Sequence, residues 1–276
     1  MLRRFFSILI LLSSSTVHAQ EIPTYYELPH RRTNPVSNPM QHRWYLGLEG
    51  FLRSDQGLLT STIDGLITSR PSVTKATWSA LIGYSYQDKF NVEAGYSHAA
   101  IHNQLTLVIA PQPYDFTFKN ESNAAVVRLK AKLFSTTKPK EKAGFWITGG
   151  AWLIPNSGKY VDGFIMEGYR VSRFHTDTIS LLSQTRTATQ LTPLVELGIE
   201  YNVRLSNRME MGFYGRKLWG FQPSIYTDLT YSENNVETQT SKLTGNGTGW
   251  SFGLALRYTY SFKRSVKSVY ALSGKY

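Results

Sequence analysis

The sequence predicts an all-β protein, an eight-stranded antiparallel up-and-down transmembrane β-barrel preceded by an N-terminal signal peptide. Three observations support this fold class. Large apolar residues alternate with small or polar residues along eight separate segments, which is the period of a β-strand between two different surroundings. The connections between these segments are alternately short and long. Residues 1–19 have the pattern of a secretory leader.

The leader pattern begins with Arg3 and Arg4, continues through the apolar run FFSILILL and ends in the small-x-small triplet Val17-His18-Ala19. We therefore expect cleavage after Ala19. The apolar run is much shorter than the ~20 residues of a spanning helix. Residues 20–41 contain four prolines and little periodicity, which predicts a flexible periplasmic segment before the first strand. The chain has no cysteine, which rules out disulfides and thiol chemistry.

The clearest strand signal is the last segment, GWSFGLALRYTYSF, at 249–262. Large apolar and aromatic residues occupy one parity, and small or polar residues with Arg257 occupy the other. Seven earlier segments repeat the pattern, at 42–53, 76–86, 90–97, 124–134, 145–153, 191–203 and 208–216. The fifth is less regular because Trp146 and Trp152 lie on its lumen-side parity. Segments 160–171 and 221–231 are candidates to extend neighbouring strands.

The lengths of the connections predict the orientation of the barrel. Three connections have about three, eight and five residues, and they alternate with four of about 20, 20, 36 and 29 residues. Short periplasmic turns and long outer loops are typical of outer-membrane barrels. The mean hydropathy of −0.27 is compatible with this class, since alternation hides the apolar content of such barrels. Lipid is therefore expected outside, and a packed polar lumen inside.

Residues 42–262 resemble the eight-stranded OmpA/OmpX-like barrels and the "outer membrane protein beta-barrel domain" class common in Bacteroidetes-type bacteria. The leader, the eight amphipathic strands and the ending TYSF carry the resemblance. It implies location in the outer membrane, with the assembly machinery reading Tyr258, Tyr260 and the terminal aromatic Phe262 during insertion. Fourteen further residues, 263–276, follow this ending, which departs from the family pattern.

Charged residues on the inward parity predict a lumen filled by salt bridges, because an eight-stranded barrel is only wide enough for its own side chains and unpaired buried ions are costly. A small ion pathway through the same charges is the alternative. The predicted lumenal network consists of Glu49, Arg53, Glu93, Arg128, Lys130, Lys132, Glu196, Glu200, Glu210, Arg216 and Arg257.

The net charge of +11 is unevenly distributed. Outside the leader, segment 20–43, the three short turns and the tail 263–276 together hold nine net positive charges, whereas the four long loops are slightly negative. The tail contributes Lys263, Arg264, Lys267 and Lys275. This basic periplasmic rim is expected to meet anionic outer-membrane lipids or an acidic periplasmic or outer-membrane protein, and not nucleic acid. A solvated rim that only anchors the barrel is the simpler alternative.

Catalytic and metal sites are not expected. His98 and His102 lie at the outer end of the third strand, but Ser97 has the opposite parity to His98, so no local nucleophile–base pair forms. The histidines are too scattered for a metal site, and no cofactor motif is present.

The sequence favours a non-enzymatic structural or interaction component of the outer membrane with a closed lumen. Three alternatives remain: a surface receptor or adhesin acting through loop 154–189, a narrow channel, and a lipid A-modifying enzyme. Loop 154–189 is either an outer binding surface or an extension of the strands above the membrane.

Overall fold

The computed structural model describes residues 40–69, 73–98, 101–108, 113–137 and 143–264. The predicted leader 1–19, segment 20–39 and tail residues 265–276 lie outside the described residues. In the part of the chain that the structure describes, no helix is long and apolar enough to cross a membrane.

The described residues form fourteen strands in chain order. They are β1 (Met40–Leu59), β2 (Ile67–Ser69), β3 (Val73–Tyr86), β4 (Phe90–His98), β5 (Ile101–Leu107), β6 (Tyr114–Asn120), β7 (Asn123–Ser135), β8 (Ala143–Ile154), β9 (Tyr160–Val171), β10 (Thr176–Thr187), β11 (Thr192–Arg204), β12 (Met209–Gly220), β13 (Ile225–Glu233) and β14 (Val236–Arg264).

Eight of these strands close into the barrel, in the order β1-β3-β4-β7-β8-β11-β12-β14, with β14 pairing back to β1. Every neighbouring pair is antiparallel. The seam between β1 and β14 runs from Met40 opposite Arg264 to Leu59 opposite Leu243. Each predicted strand lies in one barrel strand, so the prediction of an eight-stranded up-and-down barrel is confirmed.

The alternation of side chains separates two surroundings. On the outer wall, Leu48, Leu129 and Phe252 are each about 60 % exposed. On the lumen side, Glu93 and Arg128 are fully buried. Aromatic residues mark both ends of the outer wall, with Trp44, Tyr84, Phe145, Tyr201, Tyr258 and Tyr260 toward the short turns and Trp78, Tyr96, Trp219 and Trp250 toward the long loops. An apolar band between two aromatic girdles is the expected lipid-facing surface of an outer-membrane barrel.

The long loops continue the barrel outward. After short breaks at 155–159, 188–191 and 221–224, strands β9, β10 and β13 follow the lines of β8, β11 and β12. With the outer half of β14 they form a sheet in the order β14-β13-β10-β9, which we call the outer sheet. Segments 160–171 and 221–231 thus extend the barrel as predicted, although each begins a new strand.

A second sheet, β2-β5-β6, packs against the inner face of the outer sheet, and we call it the lid. Ile63, Ile67, Ile101, Leu105 and Leu107 are at most 1 % exposed. They share one apolar core with residues of the outer sheet, namely Leu181, Ile225, Leu229 and Leu243. Strand β5 is buried on both faces over most of its length. The lid therefore fills the space above the barrel at its outer end.

Close packing inside the barrel depends on Gly83, on β3. Its partner across the pair with β1 is Tyr45, which is fully buried. A Cβ at Gly83 would overlap the Tyr45 ring. The absence of a side chain at Gly83 lets the tyrosine lie flat over the strand and reach Glu93 with its hydroxyl.

This contact gives a paired prediction. Gly83→Leu should destabilise the folded barrel by about 1–3 kcal/mol, because the new side chain overpacks the lumen. Gly50→Leu is the matched control, since Gly50 faces outward and a Cβ there meets nothing within 4 Å. Heat-modifiable mobility on gels and urea unfolding in detergent measure both variants. Equal stability of the two leucine variants would contradict the packing described for Tyr45.

Candidate functional site

The centre of the lumen is Arg128 on β7. Its Nη1 donates to Glu49 Oε1 at 3.0 Å and to Glu93 Oε2 at 3.1 Å. Its Nε and Nη2 form a bidentate pair with Glu196, the second bond being 3.3 Å. The guanidinium and its three carboxylates are completely or almost completely buried. One cation therefore links strands β1, β4, β7 and β11 across the barrel.

Arg216 on β12 completes the surroundings of Glu49. Its Nη1 and Nη2 donate to the two oxygens of Glu49 at 3.0 and 2.8 Å, and Nη2 also lies 3.3 Å from Glu200. The guanidinium stacks over the Tyr214 ring, with 3.4 Å from Cζ to the centroid. Trp152 Nε1 donates to Glu196 Oε2 at 2.8 Å. The Trp152 indole thus gives Glu196 a further hydrogen bond, and the Tyr214 ring gives the Arg216 guanidinium a cation–π contact.

A second layer lies on the periplasmic side of the first. Lys130 Nζ is 2.8 Å from both Glu93 and Glu200. Arg257 Nε donates to Glu93 at 3.0 Å, its Nη2 pairs with Glu200, and its Nη1 donates to Asn202 at 2.9 Å. Tyr45 donates to Glu93 at 2.9 Å. Each carboxylate in this layer therefore meets more than one cation.

The network continues to the periplasmic mouth through residues that sequence reasoning missed. Arg43 pairs with Glu210 at 2.6 Å and with Asp88 at 3.1 Å, and Arg204 pairs with Asp88 at 3.0 Å. Arg43 shares the lumen-side parity of Glu49, so continuing the alternation toward the N-terminus would have found it. Asp88 lies in a turn and Arg204 at the end of β11, and alternation along a strand gives no signal at such positions.

Asp88 is held in place by its turn. Gln87 and Asp88 both have positive φ, 53° and 54°, as in the two-residue turns that suit antiparallel hairpins. This conformation brings the Asp88 carboxylate to Arg43 and Arg204, on β1 and β11. Lys132 lines the small cavity at this mouth, together with Arg43, Asp88 and Trp146.

The predicted residues are brought together to different degrees. Nine of the eleven lie in one continuous set of contacts that also includes Arg43, Asp88 and Arg204, so that among the described residues at least six cations face six carboxylates. Lys132 lies at the periplasmic end of this set. Arg53 faces the lumen but belongs to a separate outer cluster.

The outer cluster anchors the lid. Arg53 Nε donates to Asp55 at 2.7 Å, and its Nη2 donates to the Gly247 carbonyl at 2.9 Å. The other Asp55 oxygen accepts the backbone N–H of His102 on β5 at 3.1 Å and lies 3.6 Å from the His102 ring. A buried carboxylate of the barrel wall therefore holds the start of β5, the middle strand of the lid.

Hydrogen bonds also tie the lid to the breaks in the strands. Asn120 Nδ2, at the end of β6, donates to Asn156 Oδ1 at 2.8 Å and to Ser224 Oγ at 2.7 Å. Asn156 Nδ2 donates to Thr192 Oγ1 at 2.8 Å. These residues lie in or beside the breaks where the barrel strands give way to the outer sheet. The lid is thus fixed to the rim around its base.

His98 and His102, the histidines considered for catalysis, lie in different parts of the structure, at the end of barrel strand β4 and on lid strand β5. His98 faces outward and contacts Asn123 Oδ1 at 3.1 Å, whereas Ser97 faces the lumen and donates to the Trp78 carbonyl at 3.3 Å. The side-chain contacts recorded for His102 among the described residues reach Asp55, and no serine or threonine hydroxyl. Within the same residues, no group of three or more potential metal ligands occurs.

The predicted rim and assembly residues are described only in part. Tyr258 and Tyr260 are about half exposed on the outer wall of β14. The backbone of Phe262 and Arg264 continues that strand, but their side chains are not among the described parts of the structure. Lys263 is exposed, and Lys267 and Lys275 lie outside the described residues.

The ion network gives a stability prediction. Arg128→Met should destabilise the barrel by about 3–5 kcal/mol, because three buried carboxylates lose their shared partner. Leu129→Met, on the adjacent lipid-facing position, is the control and should cost less than about 1.5 kcal/mol. Urea unfolding in lipid vesicles, followed by tryptophan fluorescence, gives both values. A loss for Arg128→Met no larger than the control's would show that the carboxylates find other partners.

No protein-family model and no curated protein sequence matches this chain. Solved structures with a similar fold include the outer membrane protein OprG from Pseudomonas aeruginosa, at 10% identity and TM-score 0.44, covering 81% of this chain and 98% of that one. The outer membrane protein AlkL in lipid bilayers follows at 11% identity and TM-score 0.38, covering 89% of this chain and 100% of that one. Neisserial surface protein A has 9% identity and TM-score 0.31, covering 79% and 97%.

Two of these three structures are outer-membrane proteins by name, but identities and TM-scores this low carry no argument about activity. The location of this chain follows from its own structure. It has a closed antiparallel barrel, an apolar outer wall, and short turns at one end with long extensions at the other. The chain is an eight-stranded β-barrel protein of the outer membrane.

Proposed function

We propose that this protein is a non-enzymatic interaction component of the outer membrane, of the OmpA/OmpX-like type, with a lumen closed to solutes. The observation that carries the proposal is the contrast between its interior and its ends. The interior is occupied by paired charges, and the described parts of the long loops form the outer sheet and the lid. Surfaces at the two rims are therefore what the barrel offers to other molecules.

Two successive barriers support a closed lumen. The first is the ion-paired layer around Arg128, whose groups are all buried. The second is the lid, with an apolar core that includes Ile101 and Leu105. A continuous row of water would have to break both sets of contacts, which differ in chemistry. An ion pathway, the alternative considered for the same charges, is therefore not favoured.

The absence of conductance is the direct test. Purified wild-type protein in planar bilayers should show no discrete current steps, because charged side chains from opposite walls pair across the lumen. A general porin reconstituted in the same way serves as the positive control. Reproducible single-channel steps from folded, heat-modifiable wild-type protein would overturn the closed-lumen proposal.

The basic periplasmic rim is the second part of the proposal. The short turns contribute Arg204 and Arg208, and the tail contributes four further cations. Anionic headgroups are attracted by about 1 kcal/mol per lysine or arginine near the membrane surface. We infer that anionic lipids or an acidic periplasmic partner bind this rim.

Replacing Lys263, Arg264, Lys267 and Lys275 by Gln should lower the binding of anionic lipid at least about tenfold, since four attractions of that size are lost. The matched control replaces four exposed cations of the outer sheet and its loops, Lys159, Arg173, Arg186 and Lys242. Native mass spectrometry of the detergent-solubilised proteins counts bound lipid at increasing salt. Equal retention in both variants would argue for a rim that is merely solvated.

A further inference from the structure

The outer sheet has two edges, and they differ. At the β14 edge, Thr60 donates its backbone N–H to the Lys242 carbonyl at 3.0 Å. Ser61 and Ser241 exchange two hydrogen bonds there, and Gln239 donates to Asp64 at 2.8 Å. The loop after β1 thus covers this edge. Strand β9 forms the other edge and, among the described residues, pairs only with β10.

The β9 edge has only part of the usual protection against pairing with another chain. Natural sheets blunt their edges with short strands, charged side chains (lysine above all), proline or bulges, and β9 carries the charges Asp162, Glu167 and Arg170. Strand β9 has twelve residues, YVDGFIMEGYRV, with no lysine or proline. Its bulge lies at the lower end, beside Asp162, so residues 162–171 are regular. Ile165 and Tyr169 are 67% and 75% exposed on the outer face.

The sequence of this edge is complementary to itself. If two copies of β9 pair antiparallel about Met166, Asp162 lies opposite Arg170 and Ile165 lies opposite Glu167. The same register places Tyr169, on the exposed outer face, opposite Gly163. Opposite charges stabilise cross-strand pairs, and aromatic side chains compensate for edge glycines.

The charged side chains of this edge are accessible, whereas Phe164 stacks on Phe116 of the lid at 4.2 Å and Met166 packs against the core. Asp162 is exposed. Arg170 is half exposed and contacts Glu233 and Tyr231 at the long distance of 3.4 Å.

We propose that β9 is a homotypic docking edge that pairs with β9 of a second copy inserted in a facing outer membrane. Both copies run outward along β9, continuing β8. A rotation about the membrane normal preserves that outward direction, so two copies in one membrane cannot present β9 antiparallel. Inversion of the partner supplies the antiparallel geometry. The proposal rests on the proposed function and names the partner of its outer rim.

A single cysteine tests the register, because the chain has none of its own. Met166→Cys places a thiol on the expected twofold axis, and Thr240→Cys, on exposed β14, is the control. Two cell populations display the same variant with different peptide tags, and are mixed and mildly oxidised. The expected result is disulfide-linked dimers that contain both tags with Met166→Cys, at least about tenfold more than with the control. Dimers carrying one tag only, or equal yields from both variants, would overturn the facing-membrane pairing.

A charge exchange tests the same contact without cysteine. Asp162→Arg cells and Arg170→Asp cells should each lose cell–cell association by about tenfold, because both charge pairs become repulsive. Mixing the two populations should restore it to within about twofold of wild type. Gel mobility confirms that each variant is folded. Two single variants that associate like wild type, or a mixture that stays dispersed, would overturn the proposal.

The two proposals fail separately. Conducting wild-type protein would contradict the closed lumen and leave the β9 test unaffected. Failure of the mixed-tag and charge-exchange experiments, with wild-type protein still silent in bilayers, would remove the homotypic edge alone.

Discussion

The buried pairing of Arg128 with Glu49, Glu93 and Glu196 is the constraint on which the rest of the molecule depends. These four groups come from four different barrel strands, and none has access to water. Removing any partner leaves an ion in a medium that cannot solvate it. The charges are therefore tolerable only in the closed barrel, which couples closure of the β1–β14 seam to pairing inside the lumen.

The two ends of the barrel interior differ in chemistry. At the periplasmic mouth, Arg43, Asp88 and Arg204 continue the ionic pattern, which is compatible with water nearby. At the outer end, one ionic cluster around Asp55 gives way to the apolar core of the lid. An apolar core cannot form from a barrel rim alone. It needs the second layer that β2, β5 and β6 provide, and hence long loops on one side only.

Much of this structure was predictable from the sequence, because period-two alternation reports directly on the two surroundings of a barrel strand. It located eight strands, their faces and the inward charges such as Glu93 and Arg257. It could not predict which charges meet, because pairing depends on the stagger of strands around the barrel. Asp88 in a turn and Tyr45 over Gly83 were missed for related reasons. The lid strand β5 was missed because both of its faces are buried, so IHNQLTL has no alternation.

The outer sheet has strand edges that the closed barrel lacks. A closed barrel has no free strand edge, but extending four of its eight strands outward creates two. One of them, on β14, is covered by the loop that contains Ile63, a buried β-branched residue held at φ 47°. Such strain costs of order 1–3 kcal/mol. Strand β9 has no hydrogen-bonded neighbour on its other side in the described chain, although Phe116 of the lid stacks on Phe164, and it carries Asp162 and Arg170 at mirrored positions. The proposed pairing with a second copy would supply the hydrogen-bonded neighbour that β9 lacks in the described chain.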